Sequence, residues 1–393
     1  MVQTISAKLA ADIITNNLGQ KVSINSINIG IFDGINVEGF KVEDQNKNTL
    51  LSVGKLSAMP VITSLSLNNF KFLSIELDSV QLNMGSYNAD TTSNLALIIK
   101  KFSRGGKKSG TPFKFYSGSV KISNSSFNLF NQNKNFGYRE NTMDYANMVI
   151  DSISLDISDF KLEGDSLNFK IKKLSAKEKS GIVVKKMSAD FILSSKGLYT
   201  NNTLINLENS DIDADFGMEY SNYLSFRYYI DSVNMLANIR PTTINIADLG
   251  YFANILFEMP NIIGITGKIS GPVRNMKSEN LKIKFGADTR ISGDISFTGL
   301  PVFSSTLMVG NELSITTNPQ DINKFFLPID EKHLDLSNVI PSNEQITFQG
   351  NFNGYFEDFS SDIDILTSFG KIKSGVKFKH SPDNSVSFDV SLT

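Results

Sequence analysis

Leu73-Ser74-Ile75-Glu76-Leu77-Asp78-Ser79-Val80-Gln81-Leu82-Asn83-Met84 alternates apolar and polar side chains, slips by one position at Ser79, then alternates again. Period-2 patterning puts every second side chain on one face of a sheet, and a slip of one residue is what a β-bulge produces. The same alternation recurs in Ile153, Leu155 and Ile157, in Leu167, Phe169 and Ile171, and in Leu224, Phe226, Tyr228 and Ile230. It appears again in Leu281, Ile283 and Phe285 and closes the chain in Val386, Phe388, Val390 and Leu392. The chain reads as a long run of half-apolar strands.

The 393 residues carry a formal net charge of −2, so no basic field is present to hold nucleic acid. Cysteine and tryptophan are absent, while phenylalanine reaches 29. Disulfides, thiol chemistry and Cys-ligated metal are therefore excluded. No stretch has the length and apolarity of a membrane helix, and the first residues lack the charged start and apolar middle of a signal peptide.

Residues 2–18 are expected to form a helix, with Val2, Ile5, Leu9, Ile13 and Leu18 on one face and Gly19 ending it. Val22-Ile24 and Ile27-Ile29-Ile31 follow as a strand pair or one bulged strand. Residues 94–102 suit a short helix, and Arg104 to Gly110 a basic loop. Toward the C-terminus a unit repeats: Asp248-Leu249-x-x-Phe252 precedes Gly267-x-Ile269-x-Gly271, and Asp321-Ile322-x-x-Phe325 precedes Gly350-x-Phe352-x-Gly354. These glycines are expected to supply positive φ or close backbone approach at hairpin corners. The expected division is a helix over 1–21, a β-groove region over 22–240, and repeated helical-turn and hairpin units over 241–393.

Catalytic candidates are weak. His333 and His380 sit far apart in polar, turn-like settings. Asp211-x-Asp213-x-Asp215 resembles the start of a calcium loop, but such a loop needs Gly and Glu where Phe216 and Asn222 stand. On a strand the three Asp form a solvated polar face. The basic loop lacks the frame of a phosphate loop. No Ser/His/Asp set or paired carboxylates can be defended, so we expect no enzyme, catalytic residue, metal or cofactor.

The helix opening at Val2-Gln3-Thr4 and ending at Leu18-Gly19-Gln20-Lys21-Val22 leads to Ile27-Asn28-Ile29-Gly30, then to Gly39-Phe40-Lys41-Val42-Glu43-Asp44-Gln45 and Thr49-Leu50-Leu51. In that order these segments resemble the N-terminal region of the TamB (translocation and assembly module) family of the AsmA-like superfamily, in its Bacteroidetes form. Lys173-Leu174-Ser175-Ala176-Lys177-Glu178-Lys179-Ser180-Gly181 and the two Asp/Gly units are similar to it as well. The resemblance covers nearly the whole chain and rests on structural motifs. It implies an N-terminal fragment of a periplasmic protein whose inner-membrane helix precedes this sequence. It also implies carriage of phospholipid to the outer membrane, or assistance to β-barrel insertion with an outer-membrane partner of TamA type.

The expected fold is mostly β: an elongated, curled, antiparallel sheet forming a taco-like groove, with a short N-terminal helix and a few helical turns. Some 20 strands at about 4.8 Å spacing make a ribbon on the order of 100 Å long. An apolar face left in water costs roughly 25 cal/mol per Å², which phospholipid acyl chains would relieve. The candidate groove residues are Leu73, Ile75, Leu77, Ile153, Leu155, Ile157, Leu167, Phe169, Ile171, Leu224, Phe226, Tyr228, Ile230, Leu281, Ile283 and Phe285. The rival readings are strand edges that template nascent barrel strands, and a passive spacer.

Overall fold

The computed structural model describes residues 2–30, 32–64, 68–90, 92–98, 113–133, 141–251, 256–257, 261–302, 305–324, 340–342, 344–355, 357–380 and 386–392. The basic loop at 104–110, His333, Phe252 and Phe325 lie outside the described residues. The chain is mostly β, a largely antiparallel sheet structure with an N-terminal helix and short helical turns, as the alternation predicts. It divides into two compact units, Met1–Ser194 with Ile205–Glu208, and Ser195–Leu204 with Asn209–Thr393.

In the first unit, α1 (Val2–Leu18) ends at Gly19, whose φ of 62° only glycine adopts cheaply and whose N–H closes the helix on Thr15 O at 2.7 Å. Then come β1 (Val22–Ser23), β2 (Ser26–Gly30), β3 (Gly34–Glu43), β4 (Thr49–Pro60) and β5 (Asn69–Ser86). A short helix at 94–98 precedes β6 (Lys114–Asn131), β7 (Val149–Glu163), β8 (Ser166–Glu178) and β9 (Val183–Ser194). β1 and β2 both pair with β3, and each later strand pairs with its predecessor. All these ladders are antiparallel except β5–β6. That exception has a topological cause: the connection through 94–98 returns the chain to the start of β5, so β6 runs alongside it.

The phase slip between Leu77 and Val80 is a row of backbone irregularities crossing neighbouring strands. Ser79 in β5, Asn124 in β6 and Ser152 in β7 have φ of 57°, 51° and 53°, and Gly54 of β4 lies against Ser79. Each left-handed residue resets the side-chain alternation, so apolar residues before and after it share one face. The exposed amide is supported locally: the Val80 N–H donates to Ser125 Oγ at 2.9 Å, and Asp78 Oδ1 accepts from Ser123 Oγ and Asn124 Nδ2 at 2.7 Å each.

The second unit contains β10 (Gly197–Asn206, most of it in this unit), β11 (Asp211–Glu219), β12 (Asn234–Asn245), β13 (Ile262–Pro272), β14 (Asn275–Phe285), β15 (Thr289–Thr298) and β16 (Leu307–Thr317). It continues with β17 (Ile346–Tyr355), β18 (Asp358–Thr367), β19 (Gly370–His380) and β20 (Val386–Leu392). From β11 onward each strand pairs antiparallel with the next. Left-handed positions again cross the strands: Asn202, Gly267, Asn280, Gly293 and Glu312, with φ of 52°, 146°, 53°, 144° and 51°. Three of the five make one contact in common. The N–H of Asn202, Asn280 and Glu312 donates to the Asx side chain of the following strand, Asp215, Asp294 and Asn351, at 2.7, 2.7 and 3.0 Å.

The repeat read in the sequence has a structural counterpart. Asp248, in the helical turn Ile246–Leu249 after β12, accepts from the Asn209 N–H at 3.0 Å and Ser210 Oγ at 2.6 Å in the β10–β11 turn. Asp321, in the turn Pro319–Lys324 after β16, accepts from the N–H groups of Ala287, Asp288 and Thr289 in the β14–β15 turn, at 3.0, 2.8 and 2.9 Å. In both units of the repeat a buried aspartate staples the hairpin two strands back. Gly267 and Gly350 depart from the expected corner position but meet close backbone approach, whereas Gly271 and Gly354 keep the corners. Gly267 lies within the β13 ladder at the left-handed row, and Gly350 lies within β17 because an added Cβ would strike the Asp362 carbonyl. Gly271 and Gly354, with φ of 117° and 151°, sit at the hairpin ends.

Two outcomes follow. At Gly267 an added Cβ would meet Leu281 Cα at 2.9 Å, whereas at Gly264 the nearest atom is 3.6 Å away. We predict that Gly267→Ala destabilises by about 1–3 kcal/mol while Gly264→Ala stays within about 0.5 kcal/mol, read by denaturant unfolding; equal effects would contradict the left-handed row. Burial raises the Asp321 pKa, but the backbone N–H groups of Asp288, Ala287 and Thr289 and the Thr289 hydroxyl outweigh it and hold the carboxyl below its usual range. A depressed folded pKa gives stability that is present above the unfolded value of about 3.9 and lost as pH falls through the folded value. Asp321→Ala is therefore expected to cost about 1–3 kcal/mol at pH 7, a gap that narrows once the parent is measured well below pH 4.

Candidate functional site

Ladder registers in the first unit align its apolar residues into rows across the strands. One row is Leu56–Leu77–Ile122–Leu155–Leu174–Met187, from β4 to β9. Beside it runs Ala58–Ile75–Val120–Ile157–Ile171–Ala189. On the other side of the left-handed row lies Val22–Val42–Leu51–Leu82–Phe127–Ile150. Directly opposed residues point to the same face, so this is one continuous apolar surface.

Helices cover only part of it. Ala11, Ile14 and Leu18 of α1 and Leu95 and Ile98 of the short helix pack on Val22, Val42, Leu51 and Leu82, making the buried cluster of this unit. The helix face expected from Leu9, Ile13 and Leu18 is corrected: Leu9 and Ile13 are exposed, because at about 100° per residue they lie across the helix from Leu18. Most residues of the two lower rows stay half-buried, with Ala58, Val120, Ile157 and Ala189 the deeper ones.

Toward the ends of β5–β9 opposite the covered row, the surface becomes a strip of five phenylalanines. Phe72–Phe115, Phe115–Phe160, Phe160–Phe169 and Phe169–Phe191 have ring centroids 5.3, 5.8, 5.9 and 4.5 Å apart. Each pair joins adjacent strands, so the strip runs perpendicular to them. Four strand spacings give it a length of about 19 Å. All five side chains are half-buried.

The opposite face is charged and self-compensating. Glu76, Lys121, Asp156 and Lys173 are register partners in succession across β5–β8, alternating in sign. They line a cavity of about 470 Å³ with Lys55 and Asp78. Hydrogen bonds from Ser123, Asn124 and Ser79 hold the Asp78 carboxyl below its usual range.

The candidates from the sequence divide accordingly. Ile75, Leu77, Leu155, Ile157 and Ile171 fall in the two lower rows, Phe169 in the aromatic strip, and Leu167 beside it between Leu162 and Leu193. Ile153 lies next to the left-handed Ser152, opposite Ser125. Leu73 differs: it sits where the β4–β5 register slips between Met59 and Pro60, and it is 62% exposed. Ile283 and Phe285 belong to the second unit, where Ile265–Ile283–Ile291–Ile315–Phe348–Ile365–Ile372 forms its own row; Leu281 stands beside the left-handed Asn280.

The strand expected over Leu224, Phe226, Tyr228 and Ile230 is a correction. Tyr223–Tyr228 is a 3-10 turn and Tyr229–Ser232 a helical turn. The Ser225 N–H bonds to Asn222 O at 3.0 Å and the Ser221 and Ser225 hydroxyls meet at 3.1 Å. Such local bonds draw the backbone into a turn, and a helical period scatters alternate residues instead of aligning them. Phe226 packs on Tyr220 at 4.9 Å, a local contact.

Sequence reading missed Phe72, Phe115, Phe160 and Phe191. Phe72 and Phe160 lie out of phase with Ile75 and Ile157, and the signal was the second slip, marked by Leu73 and by Asp159 with φ of 56°. Asp213 and Asp215 bind Arg240 Nε and Nη1 at 2.6 and 2.8 Å, so they are paired on a half-exposed polar face. His380 stands 3.7 Å from Glu357. Among the described residues no group of acidic or His side chains could hold a metal ion, and no helix is long and apolar enough to cross a membrane.

No family model matches the chain, and neither does any curated protein or solved structure.

Proposed function

We propose that this chain is a lipid-carrying segment of the cell envelope: a periplasmic stretch of a TamB/AsmA-like bridge along which phospholipid acyl chains pass between inner and outer membranes. The observation that carries the reading is the five-phenylalanine strip, half-buried on an apolar face that α1 and the short helix, among the described residues, leave uncovered. Its length of about 19 Å is of the order of an extended fatty acyl chain. Rings at contact spacing give that chain an unbroken apolar track, and exposing the same surface to water costs roughly 25 cal/mol per Å².

Carriage of this kind needs no catalytic group. An apolar track lowers the barrier to moving a hydrocarbon chain through water, while a gradient or a partner sets direction. The charged opposite face, with its alternating register partners, suits solvent.

The central ring of the strip offers the test. Phe169→Asp places a carboxylate between Phe160 and Phe191. Because the site is half-exposed, the variant is expected to unfold cooperatively like the parent while its labelling by a photoactivatable phospholipid falls about tenfold, a change of about 1.4 kcal/mol. Failure of the folded parent to label would sink the proposal. Global unfolding of the variant would instead identify the strip as part of a closed core, where an unpaired charge costs several kcal/mol.

A further inference from the structure

We propose that the cavity over Tyr199 in the second unit is a saccharide-binding site that takes a pyranose ring of an uncharged oligosaccharide. This is independent of the lipid reading, which concerns an apolar face of the first unit. The cavity measures about 370 Å³ and lies across β10–β14. Tyr199 lines it, as do Asn201, Asn238, Lys268, Ser270 and Glu279.

The aromatic ring is fixed in advance. It lies over two glycines: a Cβ on Gly217 would stand 3.0 Å from its Cδ1, and one on Gly197 would stand 2.6 Å from its Cε2. Its hydroxyl donates to Glu219 Oε1 at 3.2 Å, and the second oxygen of Glu219 accepts from Asn234 Nδ2 at 3.0 Å. A ring held at its edge, with side chains absent beneath it, is a preorganised platform that loses little entropy on binding.

The carboxylates around the platform are already committed. Asp215 accepts from Arg240 Nη1 at 2.8 Å and the Asn202 N–H at 2.7 Å, and Glu279 pairs with Lys277 at 2.8 Å. Lys268 is register partner to both Asn238 and Glu279. A strongly anionic ligand would meet these carboxylates, and a purely apolar one would desolvate the surrounding amides and hydroxyl without replacing their hydrogen bonds. A pyranose satisfies both conditions. Its C–H face packs on an aromatic ring, and its equatorial hydroxyls both donate and accept, matching the Asn201 amide, the Ser270 hydroxyl and the capacity that the Asn238 amide keeps beside its bond to Asp215.

The test is saturation-transfer NMR on the whole chain with two probes, an N-acetylated gluco-oligosaccharide and an unsubstituted gluco-oligosaccharide, with titration calorimetry for affinity. The parent should saturate the C–H protons of one sugar face for at least one probe. Tyr199→Phe, which keeps the ring, should retain that signal. Tyr199→Leu, which still covers the two glycines, should lose at least tenfold in affinity while unfolding cooperatively, and the exposed Asn201→Ala should weaken binding severalfold. No saturation of either probe by the folded parent would overturn the proposal. So would unchanged affinity in Tyr199→Leu, which would leave the ring as a cover for the glycines only.

Discussion

Everything else in the first unit depends on how its backbone handles an alternation longer than a strand can hold straight. Period 2 alone would send Leu77 and Leu82 to opposite faces of β5. The left-handed turn of the backbone at Ser79, matched at Asn124 and Ser152 on the next two strands, brings them back to one face. A left-handed non-glycine residue is uncommon, and three at neighbouring positions on adjacent strands keep the apolar rows on either side of them on one face. With that surface gathered, α1 and the short helix can bury one part of it and leave the rest, including the phenylalanine strip, half-open.

The second unit meets the same geometric demand with a different residue economy. Glycine serves at Gly267 and Gly293, while Asn202, Asn280 and Glu312 serve elsewhere, each with its amide held by an Asx side chain on the next strand. At Asn280 and Glu312, which fall where the ladder register shifts, such a bond satisfies a backbone donor at an interruption of the ladder. Asp248 and Asp321 do the corresponding work at the hairpin ends: three turn N–H groups converge on Asp321, and the Asn209 N–H, the Asn209 side-chain amide and the Ser210 hydroxyl on Asp248. Residues that read in sequence as polar decoration are thus the fastenings of the sheet.

This division of labour bears on function. Asp215, Asp248 and Asp321 are engaged by arginine, amides and hydroxyls, so each holds neighbouring segments of the sheet together. Surfaces remain as the chemically expressive part of the molecule: an apolar one in the first unit, and in the second a cavity of mixed polar and apolar lining with a clamped tyrosine.

Read residue by residue, the sequence carries the strands, the helix with its Gly19 stop, the repeated Asp/Gly unit and the apolar half of most strands, because side-chain period and backbone preference are local properties. One period misled it: Leu224 to Ile230 alternates as a strand would, yet local hydroxyl and amide bonds at Ser221, Asn222 and Ser225 close it into helical turns. Only the tertiary structure decided that Phe72, Phe115, Phe160, Phe169 and Phe191 form one strip, since that depends on the registers of four ladders and on slips within them. Only it decided where each buried aspartate reaches, because the hairpins that Asp248 and Asp321 staple lie more than 30 residues away along the chain. Register and closure are set by pairing between distant segments, and no local pattern encodes them.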